Sequence, residues 1–277
     1  MPQPPETTPV PPNVFEQPTT PAKLHQTAHP QDKSQQPQSS PHASTCAEAS
    51  SPSSSSRPFP LPKLRLEIRN LTHPAAHRAL TALNLSECVA TATQDVLRTL
   101  YASPADRTTT PPPTRSVTLV LRDMGGVAYT TGTELDDDHK EVHFSLPYID
   151  GVRPPERLAA EIRGVVTHEL VHCFQHNAFG TCPGGLIEGV ADWVRLQCGH
   201  VPPHWKREAK GKWDDGYQST GYFLEYLEQR FGQGTVRRLN EKLRIQKYRE
   251  DEFWVELLGR PVDELFEEYR QSLQEEK

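Results

Sequence analysis

The chain has no run of the ~18 consecutive apolar residues that a membrane-spanning helix needs. It also has no cluster of Lys and Arg along its 277 residues, and its formal net charge is −6. The first absence excludes a membrane partner. The second removes the electrostatic footprint of a nucleic-acid binder, which needs a basic patch or stripe. The opening residues, MPQPPETTPVPP, contain no apolar stretch of signal-peptide length, so the expectation by default is an intracellular protein. Cysteine is scarce as well: Cys46, Cys88, Cys173, Cys182 and Cys198 are odd in number and nowhere spaced C-x-x-C. Neither a disulfide framework nor a structural zinc knuckle is expected, and free thiols are the default, with a Cys182–Cys198 bridge the one pairing considered.

What is present is unevenly distributed. Of the 27 prolines, 15 fall in the first 62 positions, together with most of the Ser, Thr and Gln. Scattered apolar residues such as Val10, Phe15 and Leu24 cannot bury enough surface to offset the entropy of ordering that segment. Residues 1–62 are therefore expected to be a disordered tail, and 63–277 a folded domain with a sizeable core.

Within 63–277 the apolar spacing separates strands from helices. Leu64, Leu66 and Ile68 alternate with charged neighbours, which predicts a strand at 63–71. From 74 to 100 the spacing becomes three and four, predicting one or two helices. SVTLVLR (116–122) and EVHFSLP (141–147) read as strands with a Gly125-Gly126 turn between them, and the acidic run 136–138 reads as a connecting loop. Helices are predicted at 156–177, 187–198, 217–231, 235–245 and 262–273, the last with Pro261 at its start. Strands first and helices after is the α+β arrangement.

The strongest chemical signal is His168-Glu169-Leu170-Val171-His172, inside a proline-free stretch read as an amphipathic helix. On a helix, residues four apart are turned by about 40° and separated by about 6 Å, so both imidazoles can face one tetrahedral Zn²⁺. Glu169 beside them could take a proton from the water that the metal activates. A catalytic zinc needs a third protein ligand. His176 lies about 12 Å along the same helix from His168, too far for one ion. A metzincin pattern fails because Gln175 and Ala178 stand where Gly and His would be required. Glu188 remains, reached after the turn FGTCPGG, with Asp192 four residues on and able to accept the outer N–H of a ligating histidine. Asp192 is the rival ligand. Taken alone, the two acids could instead serve a helix N-terminus.

The run HELVHCFQHNAFGTCPGGLIEGVADWVRL, followed by PPHW and KWDDGYQSTGYFLEYLEQRFG, resembles the plant and microbial basic secretory protein family of zinc metallopeptidases, over about residues 64 to 275. The resemblance implies a zincin-like fold, with a small mixed sheet packed on the helix that bears the metal motif and a helical C-terminal half. It implies peptidase roles for His168, Glu169 and His172, a Zn²⁺ cofactor and peptide or protein substrates, while Glu188 and Asp192 match the more general gluzincin pattern. Two departures stand out: that family is typically secreted and often basic, whereas this chain is acidic and shows no signal peptide.

Supporting residues follow from the same frame. Tyr217, after WDDG, stands where gluzincin peptidases supply a phenol to the reacting carbonyl, and a phenol there would stabilise an oxyanion; it could equally pack a helix end, and Tyr222 is the weaker candidate. Zincins bind extended peptides by strand addition, a role expected here of 141–147, with Val142, Phe144 and Leu146 facing the core and His143 exposed. Trp193, Trp205 and Trp213 are expected in the core, although Trp213 could wall a cleft near Tyr217. The expected function is hydrolysis of peptide bonds. The alternatives are hydrolysis of a non-peptide amide and a non-catalytic zinc protein that binds partners.

Overall fold

The computed structural model describes residues 57–276. Most of the expected tail, 1–56, and with it Cys46, lies outside the described residues. Packing begins upstream of Lys63: Phe59 is buried, its N–H donates to Gln94 Oε1 at 3.1 Å, and its carbonyl accepts from Gln94 Nε2 at 2.6 Å.

Four strands form one mixed sheet: β1 (Lys63–Ile68), β2 (Ser116–Arg122), β3 (Ala128–Thr133) and β4 (Asp136–Ser145), in the order β1-β2-β4-β3. β1, β2 and β4 are parallel, and β3 runs antiparallel to β4. Between β1 and β2 the chain forms α1 (Pro74–Ala82) and α2 (Leu85–Tyr101). Their starts are set by local chemistry. His73 Nδ1 accepts from Ala75 N ahead of Pro74, and Asn84 Oδ1 accepts from the N–H groups of Ser86 and Glu87.

The strand expectations need four corrections. The acidic run 136–138 is not a loop but the start of β4, because cations neutralise it: Arg115 pairs with Asp136 and Asp138, and Lys140 Nζ lies 2.8 Å from Asp137. β4 ends at Ser145, whose hydroxyl caps the short helix α3 (Leu146–Gly151), so Leu146 reaches the core from a helix. His143 is 4% exposed rather than open to solvent. It sits directly across from Tyr129, the rings stack at 4.6 Å, and its Nε2 lies 2.9 Å from Glu141 Oε2. β4 is also interior, with both backbone edges taken by β2 and β3. Among the described residues the free edge on that side is β3, a strand absent from the sequence expectations.

The C-terminal half is helical: α4 (Leu158–Phe174), α5 (Gly184–Gln197), α6 (Tyr217–Phe231), α7 (Thr235–Ile245), α8 (Glu250–Leu258) and α9 (Val262–Glu275). α6 and α7 have the predicted bounds; α8 was not foreseen. α4 was expected to be amphipathic, yet it is buried on almost every face, because it lies between the sheet and its helical neighbours α2 and α5. Val117, Leu119, Leu121, Val142 and Phe144 of the sheet share a core with Val165, Val166, Leu170 and Val171 of α4. Trp193 and Trp213 are buried, the latter edge-on to Trp254 at 5.3 Å, while Trp205 is half-buried beneath the Arg195 guanidinium. The four cysteines among the described residues are free. Among those residues no helix is long and apolar enough to cross a membrane.

Candidate metal centre

Two helices build the site, and close backbone contact fixes their relation to a third. α5 begins at Gly184, three residues earlier than expected, where the N–H groups of Leu186 and Ile187 bond to the Pro183 carbonyl. Glu188 and Asp192 thus lie beyond the first turn, which contains no acidic residue, so they do not serve the helix dipole. α6 approaches α5 closely enough that a Cβ on Gly221 would lie 3.2 Å from Trp193 N and 3.3 Å from Asp192 Cβ. Gly185 is tighter still: a Cβ there would meet the Asp214 carbonyl oxygen at 1.6 Å. The segment that delivers Tyr217 is therefore pressed against the start of α5.

His168, His172 and Glu188 each present a donor atom to one point, and these atoms lie within 4.8 Å of one another. His168 Nε2 is 3.0 Å from Glu188 Oε2 and 3.2 Å from His172 Nε2, and His172 Nε2 is 3.7 Å from Glu188 Oε1. Asp192 is elsewhere: its Oδ1 lies 2.7 Å from Nδ1 of His168, on the side of the ring turned away from the cluster. Gln175, the first residue past α4, places its amide nitrogen 2.6 Å from His172 Nδ1. Each imidazole thus has one nitrogen in the cluster and the other held by a polar side chain.

The electrostatics follow from burial and proximity. Burial opposes a charge on His168, but Asp192, Glu188 and Glu169 outweigh it and hold the pKa up at about 10. Burial and the neighbouring His168 push His172 down to about 4. For Glu188, burial favours the neutral acid, yet the hydrogen bond from His168 and the field of His172 bring its pKa below the usual carboxylate value. With Nδ1–H committed to Asp192, the Nε2 lone pair of His168 faces a carboxylate oxygen and a second imidazole. That arrangement calls for a positive charge at its centre, a proton or a metal ion. Two imidazoles and a carboxylate are a donor set that fits a borderline divalent cation such as zinc.

Glu169 is buried beside the cluster, and burial raises its pKa against the pull of His168 and Thr130. Thr130, on the edge strand β3, has its hydroxyl 2.7 Å from Glu169 Oε2 and 2.9 Å from the Glu169 carbonyl. The Tyr217 ring stacks on His168 at 6.2 Å, interplanar angle 13°. It is 51% exposed, and burial together with Glu188, Asp192 and Glu169 raises its pKa, so the phenol keeps its proton at neutral pH.

The predicted His168, Glu169, His172, Glu188, Asp192 and Tyr217 are thus brought together. His176 is not: its Nε2 turns to the Thr110 carbonyl at 2.8 Å. Tyr222 packs edge-on to Trp205, 6.1 Å away. Thr130 and Gln175 are the two side chains at the site that sequence reasoning missed. Thr130 gave no signal because its strand was not recognised, and Gln175 figured only as the wrong residue for a metzincin.

None of the curated proteins and none of the solved structures matches the chain. A family model described as a peptidase of plants and bacteria matches residues 61–269, which include every residue of this site. The chain belongs to that peptidase family, the basic secretory proteins.

Proposed function

We propose that the protein is a zinc-dependent metallopeptidase with a zincin-like fold, in which His168, His172 and Glu188 hold the ion. The observation that carries this reading is the convergence of these three donors, with Asp192 on the outer nitrogen of His168 rather than in the cluster. Zinc bound there would supply Lewis acidity, lowering the pKa of a water and polarising a peptide carbonyl.

The chain's own residues do the rest. Glu169, whose pKa burial raises and so makes it a stronger base, takes the proton from the attacking water and returns it to the leaving amine. Thr130 holds the Glu169 carboxylate by donating to Oε2. Asp192 accepts from His168 Nδ1–H and so fixes the tautomer whose Nε2 is a ligand. Tyr217 donates its O–H to the developing oxyanion. An extended peptide adds to the free edge of β3, whose Thr130 already touches Glu169, so strand pairing would lay the scissile bond near the base.

The test is metal analysis of purified protein together with cleavage of unfolded casein, with and without a chelator, for wild type and Glu169→Gln. One equivalent of zinc in both proteins, and chelator-sensitive cleavage in wild type alone, is the expected result. Stoichiometric zinc without cleavage of any peptide would move the assignment to a non-catalytic zinc protein, or to a hydrolase of small amides if those turn over. A protein that takes up no zinc would end the metallopeptidase reading.

A further inference from the structure

Gln175 is the residue at which the chain leaves α4. Its backbone is extended (φ −84°, ψ 157°), while its N–H still bonds to the Val171 carbonyl at 2.7 Å. That geometry folds the side chain back along the helix end onto the last turn, where its amide nitrogen reaches His172 Nδ1 at 2.6 Å. The other amide atom, Oε1, is buried and has no hydrogen-bond partner among the described residues. A primary amide carries a donor and an acceptor of nearly equal size, so a half-turn exchanges them without changing the space filled. In one setting the amide donates to Nδ1, and the ring proton of neutral His172 must then sit on Nε2, pointing into the cluster. In the other setting Oε1 accepts from Nδ1–H, and the Nε2 lone pair is free for a metal.

We propose that Gln175 is the positioning residue of His172, and that its amide oxygen, turned onto Nδ1–H, selects the tautomer that binds metal. The inference rests on the zinc reading above. It makes the two histidine ligands unequal: His168 is oriented by an anion, Asp192, and His172 by a neutral amide. A carboxylate at position 175 can only accept, so it would enforce the ligating tautomer that the amide merely permits.

The experiment compares Gln175→Leu and Gln175→Glu with wild type for zinc affinity, by competition with a chromophoric chelator. Nitrogen-15 spectra of the metal-free proteins read the His172 tautomer in parallel. Gln175→Leu should bind zinc about ten- to a hundredfold more weakly, as loss of a partner to a ligating histidine does. Gln175→Glu should bind at least as tightly as wild type, and its His172 should carry the proton on Nδ1. A purely packing role predicts the opposite order, because a carboxylate would be the worse filler of a buried amide's place. Zinc affinity of Gln175→Leu within twofold of wild type, or of Gln175→Glu below that of Gln175→Leu, overturns the proposal. If wild type binds no zinc, the metal reading has failed by itself. The spectra still decide the pairing, since an unchanged His172 tautomer across all three proteins rules Gln175 out as its partner.

Discussion

Thr130 and Glu169 join the edge strand β3 to the metal-motif helix through one hydroxyl, which lies within hydrogen-bond distance of both the carboxylate and the carbonyl of the same glutamate. The two residues are 39 positions apart in the chain, and the contact ties the proposed peptide-binding edge to the proposed base.

Thr130→Val keeps the shape of the side chain and removes the hydroxyl. Turnover should fall about ten- to a hundredfold, because the Glu169 carboxylate loses the partner that orients it. Zinc content should not change, since Thr130 touches none of the three donors. Thr130→Ser, which restores the hydroxyl, should recover most of the loss. A valine variant with wild-type kinetics would reduce the contact to simple packing.

Metal uptake should displace a proton. In the metal-free protein His168 has its pKa raised from 6.5 to about 10, by Asp192 and its other acidic neighbours against the cost of burial. Zinc takes the place of that proton. Calorimetric titrations at about pH 8, in buffers of different ionisation enthalpy, should report about one proton from His168 per zinc in addition to that given up by a metal-activated water, and the His168 share should vanish above the raised pKa. The stability sign follows the same shift. A raised histidine pKa stabilises the metal-free fold fully below 6.5, and that contribution is lost as pH rises through about 10. Metal-free protein should therefore melt lower at alkaline pH than near neutrality, and zinc should narrow the difference.

The parts of this site that could be read from sequence are those where chemistry repeats at helical spacing. His168 with His172, and Glu188 with Asp192, are each four apart, so each pair shares a helix face wherever its helix lies. The edge strand escaped notice because Ala128–Thr133 (AYTTGT) is short, polar and contains a glycine, so it carries no alternation of apolar residues. α8 escaped because Glu250–Leu258 opens with three acids and spans only nine residues. His143 was misjudged because alternation along one strand does not report the stacking partner that the neighbouring strand supplies. The partners of the two histidines differ in the same way. Asp192 shares a helical period with a ligand, whereas Gln175 reaches His172 only because the chain turns extended at the end of α4.

Tyr217→Phe should lower turnover about ten- to a thousandfold with zinc retained, the range expected for loss of one donor to an oxyanion. The ring would still stack on His168, so affinity for metal and fold stability should move little. Steady-state kinetics with metal analysis would check this. Unchanged turnover would leave Tyr217 as the residue that starts α6.

The boundary of the folded unit can be tested at Phe59. Removing residues 1–56 should leave melting and zinc content as they are. Removing 1–62 takes away Phe59 and its two bonds to Gln94, and should cost about 2–4 kcal/mol in denaturant unfolding, from one buried aromatic ring and its backbone hydrogen bonds. Equal stability of the two truncations would place the boundary at 63 after all.

The choice between Glu188 and Asp192 as third ligand turns on the order of metal loss, because changing a carboxylate to an amide preserves shape while removing charge. Glu188 Oε2 faces the same point as the two Nε2 atoms, so Glu188→Gln puts a poor neutral donor into the cluster and should weaken zinc binding strongly. Asp192 Oδ1 meets only the outer nitrogen of His168. Asp192→Asn can still accept from Nδ1–H through its amide oxygen, so the ligating tautomer survives. What is lost is the negative charge that makes His168 a strong donor, and the cost should be about ten- to a hundredfold in affinity. That charge also heads the groups that raise the His168 pKa, so Asp192→Asn should lower that pKa and shrink the proton release on metal uptake at alkaline pH, whereas Glu188→Gln should leave the Asp192 contribution standing. Equilibrium dialysis of the two variants, with proton counting alongside, separates the roles. Zinc retained in Glu188→Gln and lost in Asp192→Asn would make Asp192 the ligand, and would require its side chain to swing from the outer face of the His168 ring to the inner one.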